Sequence, residues 1–152
     1  MNQHVIGKFH VIGISTRTTN AHGQASKDIE ALWGKFWNKE IRNQIPNKMD
    51  NDIYAVYSDY ETDYTGAYTT IIGARVTTLN NVPNGFTGIT IEEDAYKKFV
   101  SKGKMPDAVV NTWLDIWSNK SLERAYRFDF TVHSKKYHDG DQAEVETFIS
   151  VD

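Results

Sequence analysis

Twice along this chain a stripe of apolar residues at helical spacing carries two tryptophans four positions apart, and each time two strand-like runs follow it. In the first stripe Ile29, Leu32, Trp33, Phe36, Trp37, Ile41 and Ile45 recur at intervals of three and four from Ser26 onward. That spacing predicts an amphipathic helix, and Pro46 stops it. In the second, Val109, Val110, Trp113, Ile116 and Trp117 share one helical face after a break over 103–106, where Pro106 suits a first helical turn. Each such face has to be buried against another element, and a chain of 152 residues is long enough to bury one core without a staple.

The segments between the stripes read as strands. Residues 5–16 set Val, Ile and Phe around glycines, which predicts a strand broken into two pieces near 7–10. Residues 52–60 and 68–79 form a hairpin across the polar turn 61–67. The loop 80–88, with Pro83 and Gly85, is the only seam between halves of about 1–80 and 85–152. No composition shift marks a linker there, so a single domain over 1–152 is expected. Residues 87–91 and 95–101 look extended, and strands over 125–134 and 144–151 are joined by the polar loop 135–142 with its Asp139-Gly140 turn signal. The order is β, α, β, β, used twice. It predicts an α+β fold: a pseudo-twofold, mostly antiparallel sheet carrying two helices, with a ligand cleft where the halves meet.

Charge and composition remove several function classes. A net charge of −3 and a pI near 5.9 give no basic field for a phosphate backbone, so no direct nucleic-acid partner is expected. No run approaches the ~18 apolar residues of a membrane span and the start lacks the cationic end of a signal peptide, so the expected location is the cytoplasm. Cysteine is absent, which rules out disulfides and thiolate chemistry. The histidines lack metal-ligand spacing: His4 and His10 stand six apart on a strand, and His133 and His138 straddle a turn. Gly85 and Gly88 lack the lysine and helix start of a phosphate loop. Neither cofactor nor metal is expected. Glu92-Glu93 and Asp59 with Glu61 fall in turns, where carboxylates are solvated, and receive no catalytic role.

The hairpin Ile53-Tyr-Ala-Val-Tyr-Ser-Asp-Tyr-Glu-Thr-Asp-Tyr64, followed by Gly66-Ala-Tyr-Thr-Thr-Ile-Ile-Gly-Ala-Arg-Val76, resembles the central hairpin of the GyrI-like family, the AraC-type effector-binding domains. The resemblance continues through Phe9 to Thr18, Leu32-Trp33 with Phe36, Tyr96 to Gly103, Trp113 with Ile116-Trp117, Arg124-Ala-Tyr126 with Asp129-Phe130, and Glu144-Val-Glu146 with Ile149 to Val151. It implies two strand-helix-strand-strand repeats around a cleft for amphipathic or cationic organic molecules. Members act as sensor halves of regulators, as stand-alone drug binders, as gyrase modulators and in some cases as hydrolases of genotoxins. With no room for a helix-turn-helix domain, this chain is similar to the stand-alone kind carried on mobile gene cassettes. It departs from the family at two positions: where the pattern runs Asp-Phe-Glu, then one residue and a Tyr, here stand Asp129-Phe130-Thr131 and then His133. A hydroxyl supplies neither a full negative charge nor a general base near neutral pH, which weighs against hydrolysis and strong cation preference.

Strand alternation puts Asp129, Thr131 and His133, with Arg127, on one face. Asp129 is therefore a candidate for the missing charge or a structural partner of Arg127, and Glu146 is a second candidate carboxylate. His133 stands in place of a family tyrosine. Tyr57, Tyr68, Trp113 and Phe148 join Asp129, Thr131 and His133 as candidate ligand-binding residues. Burial and stacking in such a groove would take up a hydrophobic or cationic small molecule. Two alternatives stay open: a hydrolase using a tyrosine and another carboxylate in the same cleft, and an interaction module docking a protein partner or a second copy.

Overall fold

The computed structural model describes residues 3–63, 65–105, 107–119, 121–134 and 140–151. In chain order the elements are β1 (Gln3–Ile6), β2 (Phe9–Thr19), α1 (Gln24–Asn38), α2 (Ile41–Gln44), β3 (Ile53–Ser58), β4 (Ala67–Val76), β5 (Thr87–Ile91), β6 (Asp94–Lys102), α3 (Asp107–Ser118), β7 (Asp129–His133) and β8 (Glu144–Ser150). Pro106 and Asp139, assigned above to a helix start and a turn, lie outside the described residues, as does His138.

The long stripe from Ser26 to Ile45 is two helices rather than one. Glu40 takes a left-handed backbone conformation with φ 49, and the Lys39 amide closes α1 on the Lys35 carbonyl at 3.0 Å. Apolar periodicity carries no signal of this break, because Ile41 and Ile45 resume the stripe and are both 3% exposed. Strand β7 is shorter at its start than the apolar run suggested. Tyr126 has φ 55, which no strand residue adopts, so residues 125–128 leave the alternation. Arg127 consequently turns to Asp94, with Nε to Oδ2 at 2.7 Å.

All eight strands belong to one sheet in the order β1-β6-β8-β7-β3-β4-β2-β5, and every pair is antiparallel. The order reads the same from both ends if the halves are exchanged: β7-β8-β6 repeats β3-β4-β2. Each outermost strand comes from the opposite half, since β1 pairs with β6 and β5 with β2. The twofold relating the halves passes through the pair Ala55 and Thr131, at the middle of the β3–β7 ladder, and exchanges Tyr57 with His133.

The sheet is strongly curled. Phe9 on β2 and Phe130 on β7 are three strands apart, about 14 Å in a flat sheet, yet their ring centroids lie 5.2 Å apart. Inside the curl Phe9, Val11, Tyr54, Val56, Ile71, Ile91, Tyr96 and Phe130 form one core. Gly13 and Gly73 pair across β2 and β4 on this inner face, and a Cβ on Gly13 would sit 2.1 Å from the Ile72 carbonyl oxygen. The second core lies on the outer face, where Leu32 and Phe36 of α1 cover Ile12, Ile14, Ala55 and Ile72. Helix α3 lies on the same face against β6, with Thr112 Oγ1 at 2.6 Å from Ser101 Oγ. Between the two helices runs the β3–β7 seam. No helix among the described residues is long and apolar enough to cross a membrane.

Candidate functional site

The floor of the strip between α1 and α3 follows from strand alternation. Tyr57 from β3, Asp129, Thr131 and His133 from β7, Tyr68 and Thr70 from β4 and Thr147 from β8 all face the helices. The walls follow from the paired tryptophans. Trp33 of α1 meets His133 edge-on with centroids 5.0 Å apart, and Trp113 of α3 meets Tyr57 edge-on at 5.3 Å. Tyr57 and His133 are exchanged by the twofold, so the first tryptophan of each helix reaches across the seam onto the equivalent residue of the other half. Trp37 and Trp117 flank their partners at 6.1 and 6.3 Å. Trp33, Tyr57, Trp113 and Trp117 are half-buried.

Hydrogen bonding ties the floor together. Thr131 Oγ1 lies 2.8 Å from His133 Nε2 and is also engaged by the Tyr57 hydroxyl. Burial pushes the Tyr57 phenol well above its ordinary range. Tyr68 donates to Asn20 Oδ1 at 2.6 Å, and burial pushes its phenol up to about 12. The hydroxyls of Thr70 and Thr147, both fully buried, find no partner among the described residues.

Asp129 has no exposed surface and is fully engaged. Its Oδ1 accepts from the Ser150 amide at 2.8 Å and the Ser150 hydroxyl at 3.1 Å, and its Oδ2 accepts from Tyr60 at 2.5 Å and Arg124 Nη2 at 2.8 Å. Its charge partner is thus Arg124, not Arg127. Burial works to lower the Arg124 pKa, but the Asp129 charge outweighs it and leaves the guanidinium more firmly protonated. Burial and the same charge raise the Tyr60 phenol.

Of the seven candidate residues, Tyr57, Tyr68, Asp129, Thr131 and His133 share the sheet face that the helices cover, and Trp113 of α3 packs over it onto Tyr57. Phe148 is not brought to them. It points into the curl, stacked on Phe130 at 4.9 Å, where it lines a hollow of about 220 Å³ with Phe9, Tyr54, Asp52 and Glu146. Glu146 is held there by Lys98 at 2.5 Å. A neighbouring hollow of about 340 Å³, reached past Phe9 and Arg75, is lined by His10 and Met49. Among the described residues no group of three or more His, Asp or Glu could hold a metal. Sequence reasoning did not assign Arg124, Tyr60, Tyr126 or Trp33 to the groove. Tyr60 and Asp129 are 69 positions apart, and Arg124 meets Asp129 from beyond the left-handed residue Tyr126; neither fact has a local signature.

Comparison with known proteins gives the family and the fold. A family described as integron-associated effector binding protein, Cass2, matches residues 6–151. A Bacillus subtilis (strain 168) protein, YobU, whose name marks it as a candidate transcriptional regulator, is 28% identical over 143 residues, 91% of this chain and 89% of its own. An integron cassette protein from the mobile metagenome of Vibrio cholerae superposes with a TM-score of 0.76 at 28% identity, covering 100% of this chain and 97% of that one. A protein solved with tetraphenylphosphonium bound shares the fold with a TM-score of 0.76 at 15% identity, over 99% of this chain and 92% of its own.

Proposed function

Because the chain belongs to the family of integron-associated effector-binding proteins, we propose that it is a receptor for hydrophobic or amphipathic organic molecules, held between α1 and α3 above the β3–β7 seam. The observation that carries this reading is the crossed pair of contacts, Trp33 on His133 and Trp113 on Tyr57. Of these four rings Trp33, Tyr57 and Trp113 are half-buried and His133 is buried beneath them, and half-buried rings edge-on to their neighbours can part for a flat guest at little loss of packing. A fold relative solved with an aromatic organic cation supports the class of guest.

The guest would be recognised mainly by ring contact and burial. Thr131 brings a hydroxyl where a carboxylate would bring charge, and Asp129 is already neutralised by Arg124. Matched dyes that differ only in charge should therefore bind with similar affinity, within about tenfold, and should shift or quench tryptophan emission. A titration in which neither cationic nor neutral planar dyes change that emission removes the receptor reading. Trp113→Ala should weaken every dye that binds by about tenfold, the equivalent of roughly 1.4 kcal/mol of ring contact.

A further inference from the structure

At one end of the groove a single side chain is surrounded in an unusual way. The Arg124 guanidinium carbon lies 4.3 Å from the Tyr126 ring centroid, 5.9 Å from that of Trp113 and 6.0 Å from that of Tyr60. Its Nη2 is 2.8 Å from Asp129, and the side chain is only 5% exposed. Yet Nε and Nη1 are buried and find no hydrogen-bond partner among the described residues. A buried arginine that serves only as a strut has its donors taken up by carbonyls and carboxylates. This one is held by three ring faces and one carboxylate, which is the chemistry that recognises an organic cation.

We propose that Tyr60, Trp113, Tyr126 and Asp129 form a binding site for an organic cation whose resident occupant is the protein's own Arg124, so that an external cation enters this end of the groove only in exchange for it. Three observations converge on the site. The rings come from three separate segments: the β3–β4 turn, α3 and the stretch before β7. Tyr126 holds a left-handed backbone that places its ring against the guanidinium. Asp129 is the only carboxylate that the described residues of β3, β4, β7 and β8 turn toward the helices, so an incoming cation has no second anion to use. Arg124 thereby sets the specificity: with it in place the groove draws little distinction between charged and uncharged rings, and without it the same walls favour a guanidinium or alkylammonium head. This rests on the groove being the ligand site, but the box is testable without any dye.

The test is refilling. Arg124→Ala should melt at a lower temperature than the wild type, and ethylguanidinium at millimolar concentration should restore it. At ~10 times its half-saturating concentration the ion should raise the Tm of the variant by about 3–6 °C and leave the wild type unmoved. Equal shifts in the two proteins overturn the proposal, and so does an Arg124→Ala chain that stays unfolded when refolded in saturating ethylguanidinium. Arg124→Lys keeps the charge and the fold but lacks the planar fork. It should also be stabilised by ethylguanidinium more than the wild type, and an identical response of those two overturns the exchange. A silent dye titration alongside a successful refilling would sink the receptor reading and leave the box standing; the reverse pattern would do the opposite.

Discussion

Helices α1 and α3 occupy equivalent places across the twofold, and they are held to the sheet very differently. Helix α1 buries Ala25, Leu32 and Phe36 and packs on β2, β4 and α2. Helix α3 buries only Ile116 and packs on β6, while Val110 and Leu114 on its outer side are 51% and 52% exposed. The two helices carry the same tryptophan spacing, so the difference lies in what surrounds it. Phe36 and Leu32 give α1 a second row of contacts into the outer core, and Ile41 and Ile45 of the following turn lock that row down. The duplicated unit thus has one deeply packed helix and one lightly packed helix, with the β3–β7 seam between them.

The contrast can be broken at its strongest point. Phe36→Ala removes a side chain that is 1% exposed and should cost about 4 kcal/mol of stability, read as a lower denaturation midpoint with an unchanged slope. No change of similar size is available on the outer side of α3. Next comes the anchor between the walls. Asp129→Asn keeps the shape but leaves the Arg124 guanidinium buried without its charge partner, at a cost of about 3 kcal/mol. A loss below about 1 kcal/mol would mean that the ring contacts alone hold Arg124.

Alkali should loosen the floor before it reaches α1. The Tyr68 phenol ionises near 10.0 in the unfolded chain and is pushed up to about 12 when folded. Stability is therefore full below about pH 10 and is lost as the pH rises from there toward about 12, because the unfolded chain gives up its proton first. Phenolate absorbance should accordingly appear together with loss of the fold, and Tyr68→Phe should move that transition upward. If the phenol titrates near 10 with the fold intact, the floor is open to solvent.

Amide exchange sharpens the comparison further. The amides of α3 should exchange about 10–100 times faster than those of α1 under native conditions, and a dye that binds the groove should slow α3 alone. The smallest effect is expected at Leu114→Ser on the outer face of α3, within about 0.5 kcal/mol of the parent stability. A larger loss would mean that this face is covered in solution.

Much of this architecture was legible in the residues. The second helical stripe, the broken first strand and the hairpin 53–76 emerge where periodicity and turn chemistry put them, because apolar spacing and glycine placement are local properties that burial then rewards, whereas the first stripe is split at Glu40. Alternation from Asp129 to His133 correctly placed three candidate residues on one face, since the period of a strand is fixed by its covalent geometry. Phe148 escaped the same reasoning because its face depends on the register of β8 with β7, which pairs it with Phe130. The duplicated order of elements, the absence of cysteine staples and the hydroxyl at position 131 were set by the sequence itself. Tertiary structure alone decided that β1 and β5 change halves, that the sheet curls until Phe9 meets Phe130, and that Arg124 comes to rest among three rings beside Asp129. Those outcomes depend on groups far apart in the chain, whose contacts exist only after the strands have paired, so no local pattern of residues encodes them.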